Sequence, residues 1–379
     1  MKEHRHSPGE LKQYQSLSLE SKIILTQQRI KAWYESWVRF EIHDKETGKT
    51  RFCTHDTRDY SEPKLKETEW IERAWPGAVY VSFSGGKDST VLKHIVDSMY
   101  SDVPSLFVNT GLEYPEIQRF AMSQPNVVTV RPDMRFDEVI KEYGYPVGSK
   151  RISAYVDAAK KNPNCMRAKW LRGDEWTKFV TGGKWTFLLD ADFDVSDVCC
   201  RVMKKRPAQK YQKETGRMPI TGTLASESLS RELAWIKNGC NGFDMKKPIS
   251  NPLSFWTEQD ILHYIKQYNV PYCSVYGDIK VKQSEDNDKG QINMIDYLDC
   301  YEPEDTLETT GCDRTGCIFC MFGCHLEKEP NRFQRLKLTH PRQYDYCING
   351  GEMVNGKWKP NKAGLGLGHV LDFIGVKYD

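Results

Sequence analysis

No apolar run in the chain approaches the ~20 residues that a bilayer-spanning helix needs, so the pattern excludes a helical membrane protein. The polar start Met1-Lys2-Glu3-His4-Arg5 is not that of a secretory signal. Net charge is equally scarce: 54 Lys and Arg against 52 Asp and Glu leave +2, so the molecule as a whole does not advertise affinity for a polyanion. There is no internal repeat and no low-complexity segment. What remains, 39% apolar and 28% charged residues, is the composition of a soluble globular protein placed most simply in the cytoplasm. Its 379 residues suffice for one large or two ordinary domains with a substantial core.

Against that unremarkable background one stretch stands out. Ser84-Gly85-Gly86-Lys87-Asp88-Ser89 follows the apolar run Ala78 to Phe83 and precedes Val91, Leu92, Ile95, Val96 and Met99 at helical spacing. A strand therefore turns into a helix through two glycines, whose missing Cβ atoms let consecutive N–H groups curl around an anion. The helix start adds unpaired donors and a partial positive charge. Ser84 and Ser89 supply hydroxyls, Lys87 neutralises phosphate charge, and Asp88 can hold Mg2+ through water or contact the nucleotide. The glycine spacing is not that of a Walker loop. The stretch resembles the S-G-G-x-D-S loop of the PP-loop ATP pyrophosphatases, which cleave ATP between its α- and β-phosphates and often leave an adenylated substrate.

Short apolar strands alternate with helices from Ala78 onward: Ala78 to Phe83, Ser105 to Val108, Val127 to Val130 and Met218 to Ile220. This predicts an α/β fold, a doubly wound, mainly parallel sheet with ligands at the strand carboxyl ends; the resemblance to the PP-loop group implies that the sheet is of adenine nucleotide alpha-hydrolase type. The loop, Asn109-Thr110-Gly111 and Thr221-Gly222 all fall at such ends and could converge on one nucleotide. Residues 1–70 read as a helical appendage built on Leu19, Ile23, Ile30, Trp33 and Trp37, residues 71–290 as the nucleotide-binding domain with an insertion over 133–215, and residues 291–379 as a Cys-rich region. Thr257 with Asp260 reads as a capping box opening a helix through Ile265. Basic stretches, one from Lys150 through Arg172 and one from Lys204 to Arg217, admit a nucleic-acid track or simply solvated helix faces.

Twelve cysteines are too clustered for secretory disulfides and suggest metal or redox chemistry. Cys312, Cys317, Cys320 and Cys324 are spaced C-x4-C-x2-C-x3-C, and Cys199-Cys200 form a remote pair. Six thiols compete for four places: a self-contained knuckle favours zinc, and participation of the remote pair favours a 4Fe-4S cluster. Cys53, Cys165, Cys240, Cys273, Cys300 and Cys347 read as unligated thiols.

Taken in order, the phosphate loop, Asn109 to Glu116, Cys199-Cys200, Lys204-Lys205 with Pro207, Thr221-Gly222 with Arg231, Pro252-Leu253 with Trp256-Thr257, and Cys317-x-x-Cys320 resemble the phosphoadenosine phosphosulfate (PAPS) reductase family. That resemblance implies a sulfur-metabolic enzyme that binds ATP or a sulfonucleotide through Ser84, Gly85, Gly86, Lys87, Asp88, Ser89, Thr110, Gly111, Gly222 and Arg231, with Lys87 and Asp88 catalytic. It implies a 4Fe-4S cluster on Cys199, Cys200, Cys317 and Cys320, with Cys312 and Cys324 as alternates and zinc as the alternative metal. Implied partners are a nucleotide, a sulfur donor or thioredoxin-like reductant, and, by similarity to the sulfur-inserting members, nucleic acid. The chain departs from the family pattern in three respects. It ends Gly375-Val376-Lys377-Tyr378-Asp379 without the Glu-Cys-Gly-x-His nucleophile segment, and it keeps Lys87 and Asp88 where the reductases alter the loop. Asn109 also stands where the family commonly has Asp. The intact loop points to ATP cleavage and adenylation, sulfonucleotide reduction is the second reading, and a non-catalytic nucleotide-binding module with structural zinc is the third.

Overall fold

A computed structural model describes residues 6–59, 63–173, 183–282 and 305–379. Met1 to Arg5, Cys300 and the domain boundary expected near residue 290 lie outside the described residues. In chain order the elements begin with α1 (Pro8–Gln15), α2 (Leu19–Glu35), β1 (Trp37–Asp44), β2 (Thr50–Asp56) and β3 (Glu69–Pro76). Next come β4 (Val79–Phe83), α3 (Lys87–Met99), β5 (Ser105–Val108), α4 (Pro115–Ser123), β6 (Val127–Val130), α5 (Phe136–Tyr143), α6 (Lys150–Lys161), α7 (Met166–Arg172) and α8 (Arg206–Thr215). The remainder is β7 (Met218–Thr221), α9 (Leu229–Asn238), β8 (Asn241–Gly242), β9 (Ile249–Ser250), α10 (Glu258–Gln267), β10 (Ile279–Val281), β11 (Leu307–Thr309), α11 (Arg332–Thr339), α12 (Pro341–Ile348), β12 (Glu352–Val354), β13 (Lys357–Lys359) and α13 (Leu367–Phe373). None of the helices among the described residues is long and apolar enough to cross a membrane.

These elements divide into two compact units. The first comprises Met1–Phe107, Pro115–Thr129 and Tyr211–Thr315, the second Val108–Tyr114, Val130–Lys210 and Gly316–Asp379.

The first unit is organised by a six-stranded sheet of order β6-β5-β4-β7-β9-β8. β4 pairs in parallel with both β5 and β7, β7 pairs in parallel with β9, and the short edge strand β8 runs antiparallel to β9. This is the expected α/β architecture. β4 reads as a nearly continuous apolar run because four of its five residues are buried, as in a parallel sheet covered on both faces. The chain winds from β4 out through β5 and β6, then returns to place β7 on the other side of β4. The order thus reverses between β4 and β7, and the loops leaving their carboxyl ends diverge to open a crevice. Val79, Val81, Val91, Leu92, Ile95, Val96, Ile220 and Trp256 fill the core around the sheet; each fully buried side chain of this kind contributes roughly 1.5–3 kcal/mol.

The N-terminal region is helical over α1 and α2, each opened by a serine cap. Trp37, counted with the helical apolar positions, instead begins a strand. Ser36 ends the helix, its hydroxyl donating to Ala32 O at 2.7 Å. From there Trp37-Val38-Arg39-Phe40-Glu41-Ile42 alternates with period two and forms the middle of an antiparallel sheet of order β2-β1-β3. The polar stretch after Asp44 is its hairpin turn, with the Asp44 carboxylate accepting from the Glu46 and Thr47 amides.

The second unit has its own core, in which Phe136, Val139, Val147, Val156, Leu171 and Phe193 pack with Met321, Phe333, Leu336 and Leu371. Within it, a single π-helical segment, Arg201–Lys205, directly follows Cys199-Cys200 and leads into α8. Lys160, read from sequence as part of a basic stretch, is a tether in this unit: its ammonium donates to the Ala191 and Phe193 carbonyls.

Candidate functional site

The crevice at the reversal of strand order in the first unit holds a cavity of about 270 Å3. The phosphate loop forms one wall. Gly85 has a φ of +73°, and a Cβ there would approach Ile117 Cγ2 at 3.0 Å and Ala121 Cβ at 3.2 Å, so only glycine lets the loop lie against α4. Gly86 at the N-cap of α3 has no side chain to cap it, and Tyr276 takes the Lys87 amide, so the first-turn N–H groups beyond Lys87 are the ones an anion would use. Ser84 and Ser89 hydroxyls lie 3.0 Å apart and lock the loop across its mouth, with Ser84 N–H donating to Ser89 Oγ at 3.2 Å. Opposite, Gly222 after β7 approaches α3 so closely that a Cβ would meet Asp88 O at 3.0 Å.

The charged pair is engaged with the protein. Lys87 is buried, and its ammonium is 2.9 Å from Glu258 Oε1, 2.9 Å from Asp313 O and 3.7 Å from Asp88 Oδ1. Asp88 Oδ1 is enclosed and has no hydrogen-bond partner among the described residues. Burial accordingly raises the Asp88 carboxyl above its usual range, with Lys87 and Arg314 opposing the rise. An enclosed carboxylate oxygen lacking a donor suits a cation delivered with the ligand. Arg231 and Arg314 complete the wall, both paired to Glu227. Burial and then Arg314 lower the Arg231 guanidinium from its usual value. Two cations sharing one carboxylate leave net positive charge for an anionic ligand.

Ser84, Gly86, Lys87, Asp88, Ser89, Gly222 and Arg231 all line this cavity, while Gly85 supports the loop from behind. Thr110 and Gly111 fall in the second unit and do not line it. There the Thr110 hydroxyl donates to Glu113 at 2.7 Å, and the Gly111 amide donates to Asn109 Oδ1 at 3.2 Å. Sequence reading missed Tyr276, Arg314, Thr315, Glu227 and Glu258. Tyr276 accepts from the Lys87 amide at 3.2 Å, and its hydroxyl meets Thr315 Oγ1 at 2.7 Å. The pairing of β10 with β11, Ile279 opposite Thr309, brings the Arg314 segment back to Tyr276. The Gln259 carboxamide fixes β11 through both its oxygen and its nitrogen to the Leu307 backbone.

In the second unit Cys199, Cys200, Cys317 and Cys320 interact with one another. The hydrogen bond between Cys199 and Cys200 pushes Cys199 up and Cys200 down, Cys200 being further favoured as thiolate by Lys150, Lys204 and Lys205. Burial pushes Cys317 up to about 11 against the pull of Lys204. Burial alone would lower Lys204, but Cys317 and Glu113 override it and keep the ammonium charged. The C-x-x-C turn is closed by Cys320 N–H to Cys317 O at 3.0 Å and tied to the Leu112 carbonyl by Ile318 N–H at 2.8 Å. Arg332 donates to Cys320 O at 2.8 Å. Among the described residues, no three or more metal-ligating side chains are gathered tightly enough for a metal ion. The donor chemistry nonetheless fits: four interacting thiols ringed by lysines and Arg332 suit an anionic thiolate cluster. Of the alternates, Cys324 is buried beside Cys320 and Arg332, whereas Cys312 belongs to the first unit, its amide donating to Val275 O.

A parallel sheet with a phosphate-shaped loop where the strand order reverses defines a doubly wound nucleotide-handling protein. Within that class, the chain belongs to the phosphoadenosine phosphosulfate reductase domain family, whose model matches residues 78–164 and 175–321, more than half of the chain. The family is one of enzymes that act on a nucleotide substrate. The phosphoadenosine 5'-phosphosulfate reductase of Xylella fastidiosa is 24% identical over 203 residues, covering 54% of this chain and 69% of that protein. The adenosine 5'-phosphosulfate reductase of Staphylococcus haemolyticus is 21% identical over 261 residues, 64% and 88% of the two chains. Among solved structures, the phosphoadenylyl-sulfate reductase of Candida auris in its phosphate complex aligns with a TM-score of 0.31 at 18% identity, over 53% of this chain and 76% of that one.

Proposed function

We propose that this chain is the ATP-cleaving kind of enzyme within its family, splitting ATP to AMP and pyrophosphate to adenylate an acceptor for sulfur transfer. The observation that carries the reading is the complete loop, with Lys87 and the enclosed Asp88 carboxylate both lining the cavity at the strand reversal. The β- and γ-phosphates rest on the N–H groups of the loop and on Ser84 and Ser89. Their oxygens take Lys87 from Glu258, which is 43% exposed on its side chain and is therefore free to rehydrate. Ionised Asp88 holds the magnesium that ATP carries. An acceptor oxygen attacks the α-phosphorus, the bond to the bridging α–β oxygen breaks, and pyrophosphate leaves against Lys87 and magnesium. Arg231 and Arg314 stabilise the charge developing on the α-phosphoryl oxygens.

Cys199, Cys200, Cys317 and Cys320 would hold a 4Fe-4S cluster, which when bound supplies sulfur relay or electron transfer. Nucleic acid is the proposed acceptor, and a salt-dependent affinity for single-stranded or duplex DNA tests it.

The relatives' names favour a second reading, reduction of a sulfonucleotide to sulfite. That chemistry needs an accessible thiolate, and the late cysteines are poor candidates: Cys347 is fully buried and its thiol is pushed well up by burial, while Cys324 is 1% exposed and pushed up to about 11. Parallel assays separate the two readings. Pyrophosphate from MgATP supports the proposal. Sulfite from adenylyl sulfate or PAPS with thioredoxin, with no pyrophosphate from ATP, overturns it.

A further inference from the structure

Tyr276 and Thr315 reach the phosphate loop from the two ends of the β10–β11 pairing, Tyr276 just before β10 and Thr315 beyond β11, and both line the cavity. The backbone holds them there. Gly311 N–H donates to Tyr276 O at 2.8 Å and Cys312 N–H to Val275 O at 3.0 Å, which continues the pairing past β11. A Cβ on Gly311 would collide with Val275 O, so glycine is what lets the two segments lie this close. The Tyr276 hydroxyl stands at the loop itself, 3.2 Å from the Lys87 amide. A Cβ on Gly86 would come within 3.3 Å of that hydroxyl, 3.3 Å of Ser84 Oγ and 3.4 Å of Thr315 Oγ1. Three hydroxyls therefore converge on the bare Gly86, where the strand turns into α3.

The hydroxyl protons at this corner can be counted. Tyr276 Oη accepts from the Lys87 N–H and bonds to Thr315 Oγ1 at 2.7 Å. The pair carries two protons, and their mutual bond uses one, whichever hydroxyl donates it. Among the described residues neither oxygen has a further acceptor, so one O–H is left over beside the cavity. Burial pushes the Tyr276 phenol up to about 12, so it keeps its proton at neutral pH. The Lys87 amide polarises the pair from behind, which makes the outer O–H a better donor. We infer that Tyr276 and Thr315 are a donor relay that extends the anion seat, running from the Lys87 N–H through the two hydroxyls and ending with the spare O–H on a terminal oxygen of a bound polyphosphate. The inference rests on the proposed reading of the loop as a polyphosphate seat and does not require that ATP be cleaved.

The test is calorimetric titration of the full chain with inorganic pyrophosphate and magnesium, with thermal melts of every variant alongside. Tyr276→Phe leaves the Thr315 proton and Thr315→Val leaves the Tyr276 proton, so each single change costs no more than about twofold in affinity. Both changes together leave no hydroxyl, and losing the one bond to a charged acceptor costs about tenfold or more. Thr315→Ser beside Tyr276→Phe keeps one hydroxyl and binds as Tyr276→Phe alone does, a rescue that a merely structural role would not give. If Tyr276→Phe does not fold, the Thr315→Val chain grown on 3-fluorotyrosine decides. Tyr276 is the tyrosine among the lining residues, and its more acidic phenol tightens pyrophosphate binding by about twofold. The inference is overturned by a double variant within twofold of the parent, by single losses that multiply to the double's, or by an unmoved affinity in the fluorotyrosine chain. A parent that binds no pyrophosphate at millimolar concentration overturns it as well. Turnover enters none of these readings, so a failure to cleave ATP leaves the relay standing and is seen separately as missing pyrophosphate release.

Discussion

Replacing Lys87 with Met removes an ammonium while keeping most of its stem. In the protein that ammonium is held 2.9 Å from Glu258 and 2.9 Å from Asp313 O, and it is the strongest influence opposing the burial-driven rise of the Asp88 carboxyl. If Lys87 transfers to the departing pyrophosphate, its loss removes one preorganised charge from the transition state, about 3–4 kcal/mol or 10²–10³ in turnover. Folding weakens as well: Glu258 can hydrate, but the enclosed Asp88 carboxylate loses its nearest cation, and its taking up a proton limits the loss. The same substitution shifts the pH profile. Asp88 must be ionised to hold magnesium, so activity climbs as pH rises through its already raised pKa, and without Lys87 that climb moves to higher pH. The sign for stability is opposite: a carboxyl that binds its proton more tightly folded than unfolded contributes stability at low pH, and that contribution is lost as pH rises through the folded pKa. Pyrophosphate release measured from pH 5 to 9, alongside thermal melts, reads all three effects. Turnover within threefold of the parent, or an unmoved acid limb, would refute the reasoning.

Three further outcomes are expected. Lys22→Ala strips Asp260 of the ammonium 2.7 and 2.8 Å from its two oxygens, leaving a largely buried carboxylate with only its Thr257 cap; unfolding in urea should show a loss of about 3 kcal/mol, and a loss below about 0.5 would mean the ion pair is worth no more than a surface one. Cys320→Ser should lower iron content and the brown absorbance of anaerobically purified protein, whereas normal iron would remove Cys320 from the ligand set. Gly222→Ala, whose methyl would meet Asp88 O at 3.0 Å, should weaken nucleotide binding at least tenfold by displacing the first turn of α3; unchanged affinity would mean that the close approach of β7 is incidental.

Much of the first unit was legible because its signals are local. Ala78 to Met99 writes strand, glycine turn and apolar helix in sequence order, and Thr257 with Asp260 announces α10, where the capping box closes with Asp260 N–H to Thr257 Oγ1 at 3.3 Å. The N-terminal antiparallel sheet was not legible. Its strands alternate Arg39, Glu41 and His43 with Val38, Phe40 and Ile42 and are only partly buried, so polarity there resembled a loop. Arg314 and Tyr276 reach the cavity only through the β10–β11 pairing, which no local pattern foretells. Arg314 also lay among cysteines that drew the reading toward metal. The thiols were legible by type and spacing, whereas the lysine environment of Cys200 and Cys317 depends on the π-helical segment Arg201–Lys205 and on folding at long range.

The fate of the α-phosphate tests the central claim most directly. Purified, iron-replete protein is incubated with magnesium and ATP labelled at that phosphorus, with DNA as acceptor. The account predicts label in AMP or in an adenylated acceptor, one pyrophosphate for each ATP consumed, and none in ADP. Label in ADP, or intact ATP beside sulfite released from a sulfonucleotide, would contradict it.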